Sequence, residues 1–204
     1  MFGDTPRVIE RSKLLACAGE PFRSVFLLAS GWAYRERLLS DGRRGLVDLY
    51  VPGDIIGIDH LFSESVQDNV VALTNVSYHC VDSDALSRCI REDSELAVYL
   101  LERATMLMRE HYQQIIWLSR LPAIERTTAF LAHLCERLPP RSGGNGEGQL
   151  RIPLTQRDLA DHLGLNIIHL NRTLRVLRAA GFIQTHNGSL VVNNVALLRN
   201  PSKA

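Results

Sequence analysis

The stretch "LTQRDLADHLGLNIIHLNRTLRVLRAAGFI", Leu154–Ile183, decides how this chain is built. The side chain of Thr155 can cap a helix start, and Asp158 stands three residues on, as in a capping box. Leu154 and Leu159 hold the two positions of a hydrophobic staple. The same grammar recurs at once: Asn166 caps, Leu165 and Leu170 staple, and Gly164 lies in the turn between. The second helix ends at Gly181, a residue suited to the left-handed conformation that closes helices. Two helices joined by a turn of roughly three to four residues containing glycine predict a helix-turn-helix.

A helical wheel divides the second helix. Ile167, Leu170, Leu174 and Leu177 fall on one face about 80° wide, which predicts the core side and makes Ile167 its first anchor. Arg172 points the opposite way. Ile168 and Arg175 flank it, and His169 lies on the other shoulder, so Ile168 is expected to be exposed. After Gly181, "FIQTHNGSLVV" reads as a strand, an Asn187-Gly188 turn and a second strand. A helix-turn-helix followed by a hairpin is a winged helix. His186 and Asn187 at the tip could donate to phosphate, or the hairpin could be solvated without a contact.

The front of the chain is written in another pattern. From Arg7 to about Val81, "SVFLLASGWAYRERLL", "GLVDLYVPGDIIG" and "NVVALTNVSYHCV" are short apolar runs separated by Gly, Asp, Asn and Pro. They predict a small antiparallel barrel or sandwich. Arg35 and Arg37, alternating with Tyr34 and Leu38, suggest a sheet with one wet face. Ser83 to Arg91 reads as a short helix, and a longer one follows. There Ala97, Leu101, Ala104, Met108, His111, Ile115 and Leu118 recur at alternating steps of four and three, the seam by which two helices pair. That stripe could serve a dimer or pack within the chain; Leu100, Leu107 and Leu121 form a second stripe suited to the strand domain. Pro122 interrupts the helix, "AIERTTAFLAHLCERL" resumes it, and "PPRSGGNGEGQ" is a loop by composition. The expected divisions are 1–93, 94–121 and 122–204, with a hinge at Leu118 to Pro122.

Charge follows the same division. Up to Leu118 there are 12 Lys+Arg against 17 Asp+Glu; from Ser119 onward there are 11 against 5. Only the rear part is therefore expected to meet a polyanion. Cys17, Cys80, Cys89 and Cys135 form no Cys-x-x-Cys pair, which predicts free thiols rather than zinc or a disulfide framework and leaves an oxidation sensor open. No long apolar run or export signal is visible, so a cytoplasmic protein without membrane contact is expected.

With these pieces in order, the chain resembles the Crp/Fnr family of bacterial transcription regulators over nearly its whole length. The resemblance rests on "LYVPGDIIGID" at Leu49–Asp59, the long helix, and "LTQRDLADHLGL…NRTLRVLRAAGFI". It implies an α+β chain: an N-terminal antiparallel β-roll, a dimerisation helix and a C-terminal winged helix-turn-helix. It also implies a homodimer on pseudo-palindromic double-stranded DNA, with recognition helices in grooves about 34 Å apart, and RNA polymerase as a further partner. The candidate DNA-contacting residues are Thr155, Gln156, Ile168, His169, Asn171, Arg172, Arg175 and Asn187.

Two departures matter. The family's recognition helix usually carries a glutamate four residues before the arginine; here that position is Ile168, which can pack on a thymine methyl but cannot accept from cytosine N4. Family members that bind cyclic AMP carry Gly-Glu after the "PGD" turn and Arg-Ser beyond it; here the positions read Gly57-Ile58 and Asp68-Asn69. An aspartate there is expected to repel the cyclic phosphate, leaving the effector unknown. No cofactor or metal is expected: the N-terminal cysteine cluster of the iron-sulfur branch is absent, and the haem candidates His79 and Cys80 are adjacent in a strand and point to opposite faces, with His60 a third candidate. An enzyme is not expected, since no nucleophile-base pair or phosphate loop is present, and Asp54, Asp59 and Asp68 read as turn residues. The alternative to DNA binding is a sensory or adaptor protein whose winged helix makes protein contacts.

Overall fold

The computed structural model describes residues 5–138, 150–186 and 189–193. The chain divides into two compact units, Met1–Gln113 and Gln114–Ala204.

The front unit holds β1 (Arg7–Ile9), β2 (Leu14–Ala16), β3 (Ser24–Ser30), β4 (Ala33–Leu38), β5 (Arg44–Tyr50), β6 (Ile55–Ile56), β7 (Asn69–Ala72) and β8 (Val76–Asp82). They form two four-stranded antiparallel sheets, ordered β1-β8-β3-β6 and β2-β7-β4-β5. Leu28, Ala33, Tyr50, Ile56, Val70, Ala72 and Val76 are packed together as one core. The turn from β5 to β6 is "VPGD": Pro52 presets its first central residue, and Gly53, at φ +98, supplies the positive φ of the second. The Asp54 amide donates to the Val51 carbonyl at 3.1 Å, and the Asp54 carboxylate accepts from the Val51 amide at 2.7 Å.

Two helices follow. Asp82 caps α1 (Ser83–Glu92) by accepting from the Ala85 amide. Asp93 accepts from the amides of Glu95 and Leu96 at the start of α2 (Ser94–Arg120). Leu100 of α2 joins Val25, Ile55, Leu61, Val81 and Leu86 in a second core; of the other members of its stripe, Leu107 is half-buried and Leu121 belongs to the rear unit rather than the strand domain.

In the rear unit, α3 (Ala123–Arg137) begins directly after Pro122 and buries Phe130, Leu131 and Leu134. Its buried Thr127 and Thr128 donate to the carbonyls of Ala123 and Ile124, so their hydroxyls cost nothing unpaired. α4 (Gln156–Leu163) and α5 (Ile167–Ala179) are the predicted pair. β10 (Ile183–His186) and β11 (Ser189–Val192) form the hairpin, and β9 (Leu150–Ile152), which no sequence pattern predicts, extends it to a three-stranded sheet ordered β10-β11-β9. A strand of three residues after a glycine-rich run has too little period to be seen alone. The loop expected from composition after α3, residues 139–149, lies outside the described residues, as do Asn187 and Gly188.

Candidate nucleic-acid interface

The capping grammar is realised in full. Thr155 Oγ1 accepts from the Asp158 amide at 3.1 Å, while the Asp158 carboxylate accepts from the Thr155 amide at 3.0 Å and from its hydroxyl. Asn166 Oδ1 accepts from the His169 amide at 2.8 Å and caps α5. Between the helices Gly164 adopts φ 60, ψ 34, a conformation that opposes a side chain and allows the sharp turn. α5 is therefore held at its N-terminus, and its buried face is Leu170, Thr173, Leu174 and Leu177.

One expectation is corrected here. Ile167 is not a core anchor: it is 44% exposed. Helical side chains lean toward the N-terminus, so the first residue of α5 leans past the helix end and, among the described residues, is only partly covered. Thr173, which the wheel of apolar residues passed over, is 3% exposed and completes the core face.

The opposite face is open. Ile168 is 73% exposed, and His169, Arg172 and Arg175 are exposed beside it, with Asn171 half-buried at the margin. Thr155 and Gln156 are exposed at the start of α4, although the Thr155 hydroxyl is engaged in its cap. Arg157, exposed in the same first turn, was not singled out from the sequence; its place one step beyond Gln156 was the available signal. Arg178 donates to Thr185 Oγ1 at 3.2 Å and ties the last turn of α5 to β10. His186 is exposed at the end of β10, and Asn187 lies outside the described residues. α5 contains no acidic residue, so its outer face offers donors and apolar surface to a polyanion.

The long helix presents a second surface. Leu101, Met108, Ile115 and Leu118 are exposed, while Ala97, Ala104 and His111 are half-buried. His111 also reaches inward: its Nε2 lies 3.2 Å from the Asp48 carboxylate of β5. The hydrogen bond to Asp48 raises the His111 pKa against the opposing effect of burial.

The interior of the strand unit differs from expectation. Arg35 is not on a wet face; it is 8% exposed and shares the inner face with Ala33. It can be buried because its guanidinium forms a double hydrogen bond with Asp59 and lies over the Tyr50 ring, 5.7 Å from the centroid. Burial works against the Asp59 charge, but the hydrogen bonds and charge of Arg35 outweigh it and hold that carboxyl below its usual range. Asp68, 4% exposed, is likewise not an open negative charge, because Arg37 binds both its oxygens. Of the three acids read as turn residues, Asp54 is one; Asp59 and Asp68 are ion-pair partners. His60 is buried with its ring 5.9 Å from that of Phe22. None of the four cysteines is in a disulfide, and among the described residues no group of three His, Cys, Asp or Glu could hold a metal ion. No helix among them is long and apolar enough to cross a membrane.

Residues 6–93 match the cyclic nucleotide-binding domain and residues 125–200 the Crp-like helix-turn-helix domain. The chain belongs to the Crp/Fnr family. It is 32% identical to the nitrogen fixation regulation protein FixK of Rhizobium meliloti over 152 residues, covering 72% of this chain and 63% of that protein. It is 23% identical to the anaerobic regulatory protein of Aggregatibacter actinomycetemcomitans, over 93% of this chain and 73% of that one. Among solved structures, FixK2 from Bradyrhizobium japonicum superposes with a TM-score of 0.83 at 25% identity, covering 96% of both chains. These matches carry the fold class expected from the sequence: α+β, with antiparallel sheets in front, long helices, and a helix-turn-helix behind.

Proposed function

We propose that this member of the Crp/Fnr family is a sequence-specific DNA-binding transcription regulator. The observation that carries the reading is the outer face of α5, where Ile168, His169, Arg172 and Arg175 stand exposed on a helix capped by Asn166. In this arrangement the first turns of α5 enter the major groove. Arg172 reads a base edge there, with its fork matched to guanine O6 and N7, and Ile168 packs on an apolar base edge one turn earlier. Gln156, Asn171, Arg175 and Asn187 would add polar contacts to backbone or bases, and Thr155, whose hydroxyl stays in its cap, would offer its position at the helix start. Two copies are joined along Ala97, Leu101, Ala104, Met108, His111, Ile115 and Leu118, so that a two-fold dimer meets a pseudo-palindrome.

In this reading residues 1–93 form the sensor-like β-roll, 94–121 the dimerisation helix and 122–204 the DNA-binding domain. The protein acts in the cytoplasm, contacts RNA polymerase and catalyses no reaction. The named regulators among its relatives support this, and so does the charge excess after Ser119.

The test is a binding-site selection on random duplexes, followed by affinity on the selected site across salt concentrations. A two-fold site is expected, with affinity falling about 10³-fold or more from 50 to 200 mM salt, as for a protein meeting several phosphates. Selection of no motif, with salt-insensitive capture of a protein by the winged helix, would establish the adaptor reading instead.

A further inference from the structure

α2 ends at Arg120 and α4 at Leu163, and each leaves carbonyls that no later turn can satisfy. One side chain serves both ends. Arg126, the fourth residue of α3, donates from Nη1 to the Leu163 carbonyl at 2.8 Å and from Nη2 to the Leu121 carbonyl at 3.0 Å. Helix C-termini carry the negative pole of the helix dipole, so a guanidinium set between two of them is favoured by charge as well as by its hydrogen bonds. A planar fork with separated donors spans two acceptors; an ammonium is a single point. Arg126 Nε is buried and has no hydrogen-bond partner among the described residues, so the two outer nitrogens dictate the orientation of the side chain.

The same junction is packed from other sides. A Cβ added to Gly164 would lie 3.4 Å from Leu118 Cδ2 and 3.8 Å from Arg126 Nη1. The Trp117 ring meets that of His133 edge-on, with centroids 5.7 Å apart. The last turn of α2, the start of α3 and the turn of the helix-turn-helix thus meet at one point.

We infer that Arg126 is a positioning residue for DNA recognition, fixing the helix-turn-helix to the last turn of α2 and so setting the separation of the two recognition helices in the dimer. The inference rests on the proposed function, because a separation has meaning only for a dimer on a two-fold site. Residues Leu118 to Pro122, expected to be a hinge, are then a clamped joint, and the end of α2 moves with the rear unit.

Arg126→Lys retains the charge but replaces the two separated donor nitrogens of the fork by a single ammonium nitrogen, which does not span the two carbonyls as the guanidinium does. The full chain and this variant are compared on the selected palindrome and on sites with the half-sites moved one base pair closer or further apart. The unaltered protein is expected to lose about tenfold or more on the moved sites and the variant less than about threefold, with the same half-site bases preferred by both. Equal discrimination of spacing by the two proteins overturns the inference. Hydrogen exchange on the free proteins adds a reading that needs no DNA: residues 117–121 should exchange faster in the variant while Ile167–Ala179 keeps its protection. Unchanged exchange at 117–121 overturns the clamp. Faster exchange throughout the rear unit, with a uniform loss of affinity at every spacing, marks a role in stability alone and also overturns it. If the unaltered protein binds no palindrome while 117–121 still loosens in the variant, the functional reading fails and the role in spacing goes with it.

Discussion

Ile168 and Arg172 stand one turn apart on the exposed face of α5, and under the proposed function their chemistry would divide the work of recognition. An arginine discriminates by donating to acceptors on a base edge, worth about 1–3 kcal/mol for a bidentate pair. An isoleucine donates nothing; it favours a base edge that is itself apolar and leaves cytosine N4 unsatisfied. Ile168→Glu should therefore change the preferred base at one position of each half-site while affinity for the variant's own best site stays within about tenfold. Selection of the same motif by both proteins would remove Ile168 from the reading surface. That Ile168 faces outward was legible from the wheel. That Ile167 does too was not, because a wheel treats every position as the middle of a helix, whereas Ile167 begins one.

At the scale of elements, α2 shows how one helix can carry two stripes with different fates. Leu100 is buried in the front unit, and Leu101, the next residue, is 67% exposed. Leu101, Met108 and Ile115 recur at seven-residue intervals, so one side of a 27-residue helix keeps an apolar line in water. Exposing three such side chains opposes solubility, and a second copy with the same line would cover them. Met108→Glu combined with Ile115→Glu should convert dimer to monomer in sedimentation and abolish binding to the palindrome, while far-ultraviolet circular dichroism stays unchanged. A doubly substituted chain that still sediments as a dimer would place the interface elsewhere. His111 interrupts the line, and its bond to Asp48 shows where a polar seam residue can turn when the helix also rests on a sheet.

For the molecule as a whole, the match to a cyclic nucleotide-binding domain and the side chains inside that domain pull apart. The interior guanidinium of Arg35 is taken by Asp59, and Asp68, at the position where cyclic AMP-binding relatives carry arginine, is taken by Arg37. A cyclic phosphate entering there would have to break one of these pairs and leave a carboxylate facing it, and the buried member of the broken pair, Arg35 or Asp68, would lose the partner that compensates its charge. Millimolar cyclic AMP is accordingly expected to leave the thermal midpoint unchanged, whereas a ligand at about 100 times its Kd would add about 2.7 kcal/mol of stability; a rise of several degrees would show that the pocket opens. The sequence by itself determined the order of the units, the capped helix pair, the wing and the outward face of Arg172, because periodicity, caps and turns are local and act over a few residues. Only the tertiary structure decided that Arg35 lies inside, that Asp59 and Asp68 hold arginines, and that Arg126 joins Leu121 to Leu163. Arginine hydrogen bonds to partners 24, 31 and 37 positions away leave no periodic trace, and a long polar side chain is buried or exposed according to the partner that the fold brings to it.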